Sequence, residues 1–213
     1  MILQIFSAGP LDTNTLLIGC SETHKGAVID VPFASAHTLV KRARELSLTV
    51  EKILLTHSHW DHIGEVALLK SELKAPVYIH EEDRGNLEKP GSDQLPMMFP
   101  MQGVVPDGLL TDGQVIMVGK LEIHVIHTPG HTPGSVCFYL PKEAVLISGD
   151  TLFRGSIGNL SFPTSSAKRM WPSLKKLAAL PLETRVYPGH GESTTIRAES
   201  WLEDAEKKFG YFK

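Results

Sequence analysis

Four ligand-type side chains, His57, His59, Asp61 and His62, fall within six residues directly after the apolar run 52–55. In extended chain, residues i and i+2 point the same way, so His57 and His59 converge on one ion. Asp61 and His62 then face elsewhere, at the turn into a helix expected over 63–73, where a second ion finds its ligands. A chain of this kind has to end a strand at the site and leave it through a helix. Imidazole nitrogen and carboxylate oxygen suit zinc, and also iron or manganese, so residue type indicates a metal site without naming the metal.

Three further ligand candidates sit where a strand runs into a Gly-containing turn. His131 stands at the apex of Thr128-Pro129-Gly130-His131-Thr132-Pro133-Gly134, a loop stiffened by two prolines. Asp150 emerges from an apolar strand in Ser148-Gly149-Asp150-Thr151, and His190 lies between glycines in Tyr187-Pro188-Gly189-His190-Gly191. Singly, each is as well explained by a turn-capping acid or a solvated histidine. Together with the first loop they make seven ligands in one recurring structural context. His24, His37, His80 and His124 are left to surface or core roles, and His127 lies near enough to orient a ligand without being one.

The rest of the chain reads as two blocks, each with strands first and helices after. Strands are expected at 2–6, 15–18, 27–31, 50–56 and 76–80, with a helix at 34–46, and then at 115–118, 121–127, 135–140 and 144–148. A helix over 167–179 should break at Pro172, with a new helix starting near it, and a last helix is expected over 195–209. Residues 89–108 hold four prolines and the cluster Met97-Met98-Phe99-Pro100-Met101, so no regular element of any length is expected there. An apolar lid or subunit contact and simple local packing are equally compatible with that composition.

Length and charge narrow the function. The 213 residues carry 21 Lys+Arg against 24 Asp+Glu, a net charge of −3 without a basic run, which disfavours nucleic acid and anionic membrane as partners. One domain over 1–213 is expected. No stretch reaches the roughly 18 apolar residues of a membrane span, and the two cysteines, Cys20 and Cys137, read as buried apolar residues, so a soluble cytoplasmic protein is expected.

The set His57-x-His59-x-Asp61-His62, His131, Asp150 and His190 resembles the metallo-β-lactamase superfamily. The text of 128–135 and 149–158 resembles its glyoxalase II (hydroxyacylglutathione hydrolase) branch. That resemblance implies an α/β fold, an αββα sandwich of two mixed β-sheets flanked by helices, with a dimetal site at one edge. It implies that His57, His59 and His131 bind one ion, that Asp61, His62 and His190 bind the other, and that Asp150 bridges. It further implies hydrolysis of a thioester, S-lactoylglutathione or a related hydroxyacyl thioester, by a hydroxide held between two divalent ions. Zinc is the first choice, with iron or manganese as alternatives, and Asp61 and Asp150 are the catalytic carboxylates. Two departures stand out: Asn159-Leu160-Ser161 follows Gly158 where close relatives carry Arg-Thr-Asp, and only 23 residues follow His190, too few for the branch's appended helical domain. Arg154 is then a candidate for a glutathione carboxylate. An iron-dependent persulfide dioxygenase shares the fold and all seven residue types, and is the rival reading.

Overall fold

The computed structural model describes residues 1–210. Strands β1 (Ile2–Ala8), β2 (Thr13–Gly19), β3 (Lys25–Ile29), β4 (Thr49–Leu54), β5 (Val77–His80) and β6 (Gly108–Leu110) form one sheet in that order. The pairs up to β3 are antiparallel and those from β3 to β6 parallel. A second mixed sheet holds β7 (Val115–Val118), β8 (Leu121–His127), β9 (Val136–Leu140), β10 (Val145–Gly149), β13 (Arg185–Pro188) and β14 (Thr194–Thr195), while β11 (Leu152–Phe153) and β12 (Ser156–Ile157) form a small hairpin apart.

Strand periodicity explains why the sheets stack and still need helices outside. Successive side chains alternate faces. In β2, Leu16 and Ile18 point inward to meet Ile123, Val125 and Phe138 of the second sheet, while Leu17 points outward. The outward faces of β2 to β5 are covered by Leu39, Val40 and Ala43 of α1 (Ala36–Glu45) and by Val66 and Leu69 of α3 (Val66–Leu73). On the other side Cys137, Leu146 and Val186 point outward against Met170, Leu174 and Leu177 of α5 (Ala167–Ala178). The three apolar clusters are thus the three interfaces of an αββα sandwich, and each buried large apolar side chain contributes about 1.5–3 kcal/mol.

Several expected elements differ. The helix expected over 63–73 is two: α2 (Trp60–Ile63), which contains Asp61 and His62, and α3. Glu65 leaves helical geometry between them, its N–H donating to Val31 O and its carboxylate accepting from Ala36 N at the start of α1. The break expected at Pro172 is absent. Its ring is exposed, and the buried residues Met170, Ser173 and Leu174 on either side keep one stripe against the sheet. That packing outweighs the roughly 3 kcal/mol a proline costs in a helix interior. The helix expected over 195–209 is instead two 3₁₀ turns, Ile196–Glu199 and Leu202–Asp204, and a short α6 (Ala205–Phe209). Glu199 is turned inward to accept from Thr194 Oγ1, Gly155 N and Trp201 Nε1, which a regular helix would not allow. One helix was not expected at all, α4 (Glu81–Glu88), directly after β5.

Residues 89–107 contain no regular element, and the segment divides between the two readings of its composition. Val104 and Met101 pack on the first-sheet cluster, whereas Met97, Met98 and Phe99 stay exposed, with Phe99 edge-on to Phe33 at 5.0 Å. Both cysteines are buried and free. Among the described residues no helix is long and apolar enough to cross a membrane.

Candidate metal centre

Strands β4, β8, β10 and β13 each end at one edge of the sandwich, and the four loops leaving them carry the ligand candidates. The first sheet supplies His57, His59, Asp61 and His62 after β4. The second supplies His131, Asp150 and His190 after β8, β10 and β13. The two sheets are tied together there by Val136 N–H donating to Thr56 O, Asn14 N–H to Gly189 O and the Asn14 amide to Pro188 O and Gly191 O. Glycine is required where the loops meet. A Cβ on Gly189 would lie 2.2 Å from Asp150 Oδ1 and 2.7 Å from His62, and Gly149 holds φ +49° with Thr56 2.7 Å from its missing Cβ.

All seven side chains come together. One ligand atom from each of His57, His59 and His131 lies within 4.8 Å of the others, and the same holds for Asp61, His62 and His190. A third such group, His57, His62 and Asp150, joins the two. Asp150 spans them: its Oδ1 is 3.3 Å from His62 Nε2 and its Oδ2 is 3.4 Å from His131 Nε2.

The hydrogen bonds behind the rings orient them. Nδ1 of His131 donates to Asn159 O (2.9 Å), that of His190 to Leu11 O (3.0 Å) and that of His62 to Asp30 Oδ2 (2.8 Å). Thr56 Oγ1 donates to Asp30 Oδ2 and so accepts from His57 Nδ1 at 3.0 Å. With the proton on Nδ1, the Nε2 of a neutral ring presents its lone pair to the centre. Nε2 of His57, His59 and His131 and Oδ1 of Asp150 are buried without any hydrogen-bond partner. Orphaned polar atoms at this depth cost about 1–3 kcal/mol each unless a ligand takes them. Four of them, all lone-pair donors facing one another, fit a cation.

Electrostatics divides the site. Burial pushes His57 well below the usual histidine range, helped by the neighbouring imidazoles, and pushes His59 down to about 3. His62 is equally buried, yet Asp61, Asp150 and Asp30 raise it well above that range, and Asp61 and Asp150 raise His190 against its burial. In return Asp150, despite its own burial, is lowered to about 2 by His62, His131 and His190, and Asp61 falls below the ordinary carboxylate range for the same kind of reason.

Three supporting residues were not singled out in the sequence. Thr13 Oγ1 donates to Asp61 Oδ2 (2.9 Å), Asp30 holds Thr56 and His62, and Asp83 accepts from Ser58, Thr132 and Gly134. Asp30 follows β3 in the structure but falls inside the strand expected over 27–31 and has no glycine beside it, and nothing local in the sequence marks Asp83. His127 does not orient a ligand ring, since its Nε2 donates to Pro133 O (3.0 Å) and its ring stacks on His80 at 3.9 Å. His80, Glu82 and His127 also lie close enough to share an ion, but both Glu82 oxygens are held by Arg169 and His127 Nε2 is used by Pro133. Arg154 is occupied by an ion pair with Glu192.

A sandwich that gathers these histidines and aspartates at one edge defines a class, that of proteins with a two-centre metal site. Residues 8–190 match the model of the metallo-beta-lactamase superfamily, and the chain belongs to that superfamily. The hydroxyacylglutathione hydrolase GloC of Haemophilus influenzae is 31% identical over 203 residues, covering 93% of this chain and 95% of that protein. Among solved structures, the BLEG-1 B3 metallo-beta-lactamase superposes with a TM-score of 0.85 at 37% identity, covering 93% of this chain and 96% of its own. TTHA1623 in a di-iron-bound form superposes with a TM-score of 0.80 at 38% identity, covering 92% and 96%.

Proposed function

We propose that the protein is a metal-dependent thioester hydrolase acting on S-lactoylglutathione or related hydroxyacyl thioesters. The observation that carries the metal-dependent part is the set of buried, partnerless lone pairs on His57, His59, His131 and Asp150. The similarity to GloC supports the substrate class. In this reading His57, His59 and His131 would hold one divalent ion, Asp61, His62 and His190 would hold the second, and Asp150, which lies between the two groups, would serve both. When bound, such a pair supplies Lewis acidity that polarises a carbonyl and lowers the pKa of water from about 15.7 towards 7.

The chain's own residues do the rest. Asp61, fixed by Thr13, orients the attacking water, and Asp150 keeps the two sets of ligands at one spacing. The leaving thiol, with a pKa near 8.5, departs as thiolate and needs no dedicated general acid. The chemistry of the donor set accepts zinc, iron or manganese.

The di-iron form of TTHA1623 keeps a second reading in play, an iron-dependent persulfide dioxygenase. Metal analysis of untagged protein, followed by S-lactoylglutathione hydrolysis and oxygen uptake on glutathione persulfide, separates them. Hydrolysis without oxygen uptake is expected; oxygen uptake with no hydrolysis would replace the first reading by the second.

A further inference from the structure

Helix α4 is absent from the catalytic reading, yet it carries a buried charge that lacks an ion-pair partner among the described residues. Asp83, in its first turn, is 2% exposed. Its Oδ2 accepts from Ser58 N (2.8 Å) and Thr132 Oγ1 (2.9 Å), and its Oδ1 from Gly134 N (2.6 Å). Ser58 lies between His57 and His59, and Thr132 follows His131. One carboxylate therefore joins the two loops, one from each sheet, that present the three-histidine half of the site. One turn further on, Asn86 Nδ2 donates to Ser58 O (2.7 Å), so α4 holds both the N–H and the carbonyl of the residue between the two histidines.

The rest of the His131 loop is pinned in the same way. Ser166 N–H donates to Gly130 O, Ser165 Oγ to His131 O and Ser173 Oγ to Pro129 O, while His127 holds Pro133 O. Gly134 has to be glycine for Asp83 to reach it, since a Cβ there would sit 2.6 Å from Oδ1. Burying a carboxylate without a cation costs several kcal/mol, which the three bonds only offset. For simple loop closure a neutral acceptor would serve. An acid suits a place where all incoming groups are donors and where cationic charge is to be held nearby.

We propose that Asp83 is a positioning residue for the ion held by His57, His59 and His131, setting the distance between the His57-Ser58-His59 and His131 loops, with no part in holding the second ion. The inference rests on the dimetal assignment proposed above. Asp83→Asn keeps the shape but turns an NH2 group towards at least one donor, so it breaks one arm of the clamp at constant volume.

Two backgrounds separate the halves: His190→Ala, which leaves the three-histidine half intact, and His131→Ala, which leaves the other. The zinc affinity of each is measured by competition with a chromophoric chelator, with and without Asp83→Asn. The expected result is a 10- to 100-fold weaker dissociation constant in the His190→Ala background and a change below twofold in the His131→Ala background. Equal weakening in both would show a general structural role, and no weakening in the first would show no role; either overturns the proposal. If Asp83→Asn protein is unfolded by circular dichroism, Thr132→Val removes one of the three bonds, together with the Thr132–Ser135 hydroxyl contact, and is read in the same two backgrounds, with weaker zinc binding expected in the first alone. A wild-type chain that binds no zinc would overturn the dimetal assignment itself, and is distinguishable because it fails before Asp83 is touched.

Discussion

The two halves of the centre are built from similar parts and held in different ways. Asp30 and Asp83 are both buried carboxylates behind the ligands, each accepting three hydrogen bonds. Asp30 reaches a ligand ring directly, at His62 Nδ1, and helps Asp61 and Asp150 keep His62 raised. Asp83 touches no ligand ring and binds only backbone and a hydroxyl. The His57, His59 and His131 half is therefore a buried set whose loops Asp83 ties together through backbone and a hydroxyl, while in the Asp61, His62 and His190 half, a network of charges, Asp30 holds the His62 ring itself. Similar metal ligation can thus be reached by fixing the chain or by fixing the charges, and the two should fail differently when altered.

Asp150 belongs to both halves, so its loss should have the largest effect. Asp150→Ala is expected to lower kcat for thioester hydrolysis by about a thousandfold or more, roughly 4 kcal/mol, with folding retained by circular dichroism. Near-normal turnover with two ions bound would remove Asp150 from its bridging place. Next, His131→Ala and His190→Ala should each leave one ion per chain by metal analysis, but at different structural cost. His131 is 2% exposed against 26% for His190, so its loss leaves the larger buried gap and should destabilise by about 1–3 kcal/mol more in urea. Equal destabilisation would break the contrast between a dry half and a wetter one. Asp30→Asn should weaken zinc binding by roughly 10- to 100-fold where His62 is the ligand, read in the His131→Ala background.

The smallest effect concerns pH in chelator-stripped protein. His57 and His59 have folded pKa values below the unfolded value, so the stability they contribute is present above about pH 6.5 and is lost as pH falls from there, for His59 towards about 3. His62 and His190 are raised, so theirs is full below about pH 6.5 and is lost as pH rises through the raised values. Melting temperatures of the stripped protein should peak between about pH 6 and 7. His59→Asn should flatten the acid side alone between about pH 6.5 and 4.5; a variant that flattens the alkaline side instead would reverse the assignment.

The seven ligand candidates were legible because each follows a strand and sits beside glycine, proline or another ligand type, a local signal that survives without coordinates. The sandwich followed from the family resemblance, and the alternating faces of Leu16, Leu17 and Ile18 supply its physical reason. Asp30 was not legible, because it is flanked by Ile29 and Val31 and reads as part of the strand that in the structure stops one residue before it. Helix α4 was not legible: the stretch Glu81–Glu88 has one large apolar residue, Leu87, and an internal Gly85, so it shows no helical periodicity. It is held by tertiary contacts, which is also why Asp83 could not be found from its neighbours. The continuous helix through Pro172 and the broken one after Thr195 failed for the same reason, since packing of Leu174 in one case and inward hydrogen bonds of Glu199 in the other overrode local preference.

Two unlike halves imply two ions, and the count of metal per chain tests that most directly. Untagged protein, stripped and then reloaded with zinc, should hold close to two ions per chain by elemental analysis, falling to one in His190→Ala. One ion per chain at full loading, unchanged by His190→Ala, would contradict a site built from two distinct centres.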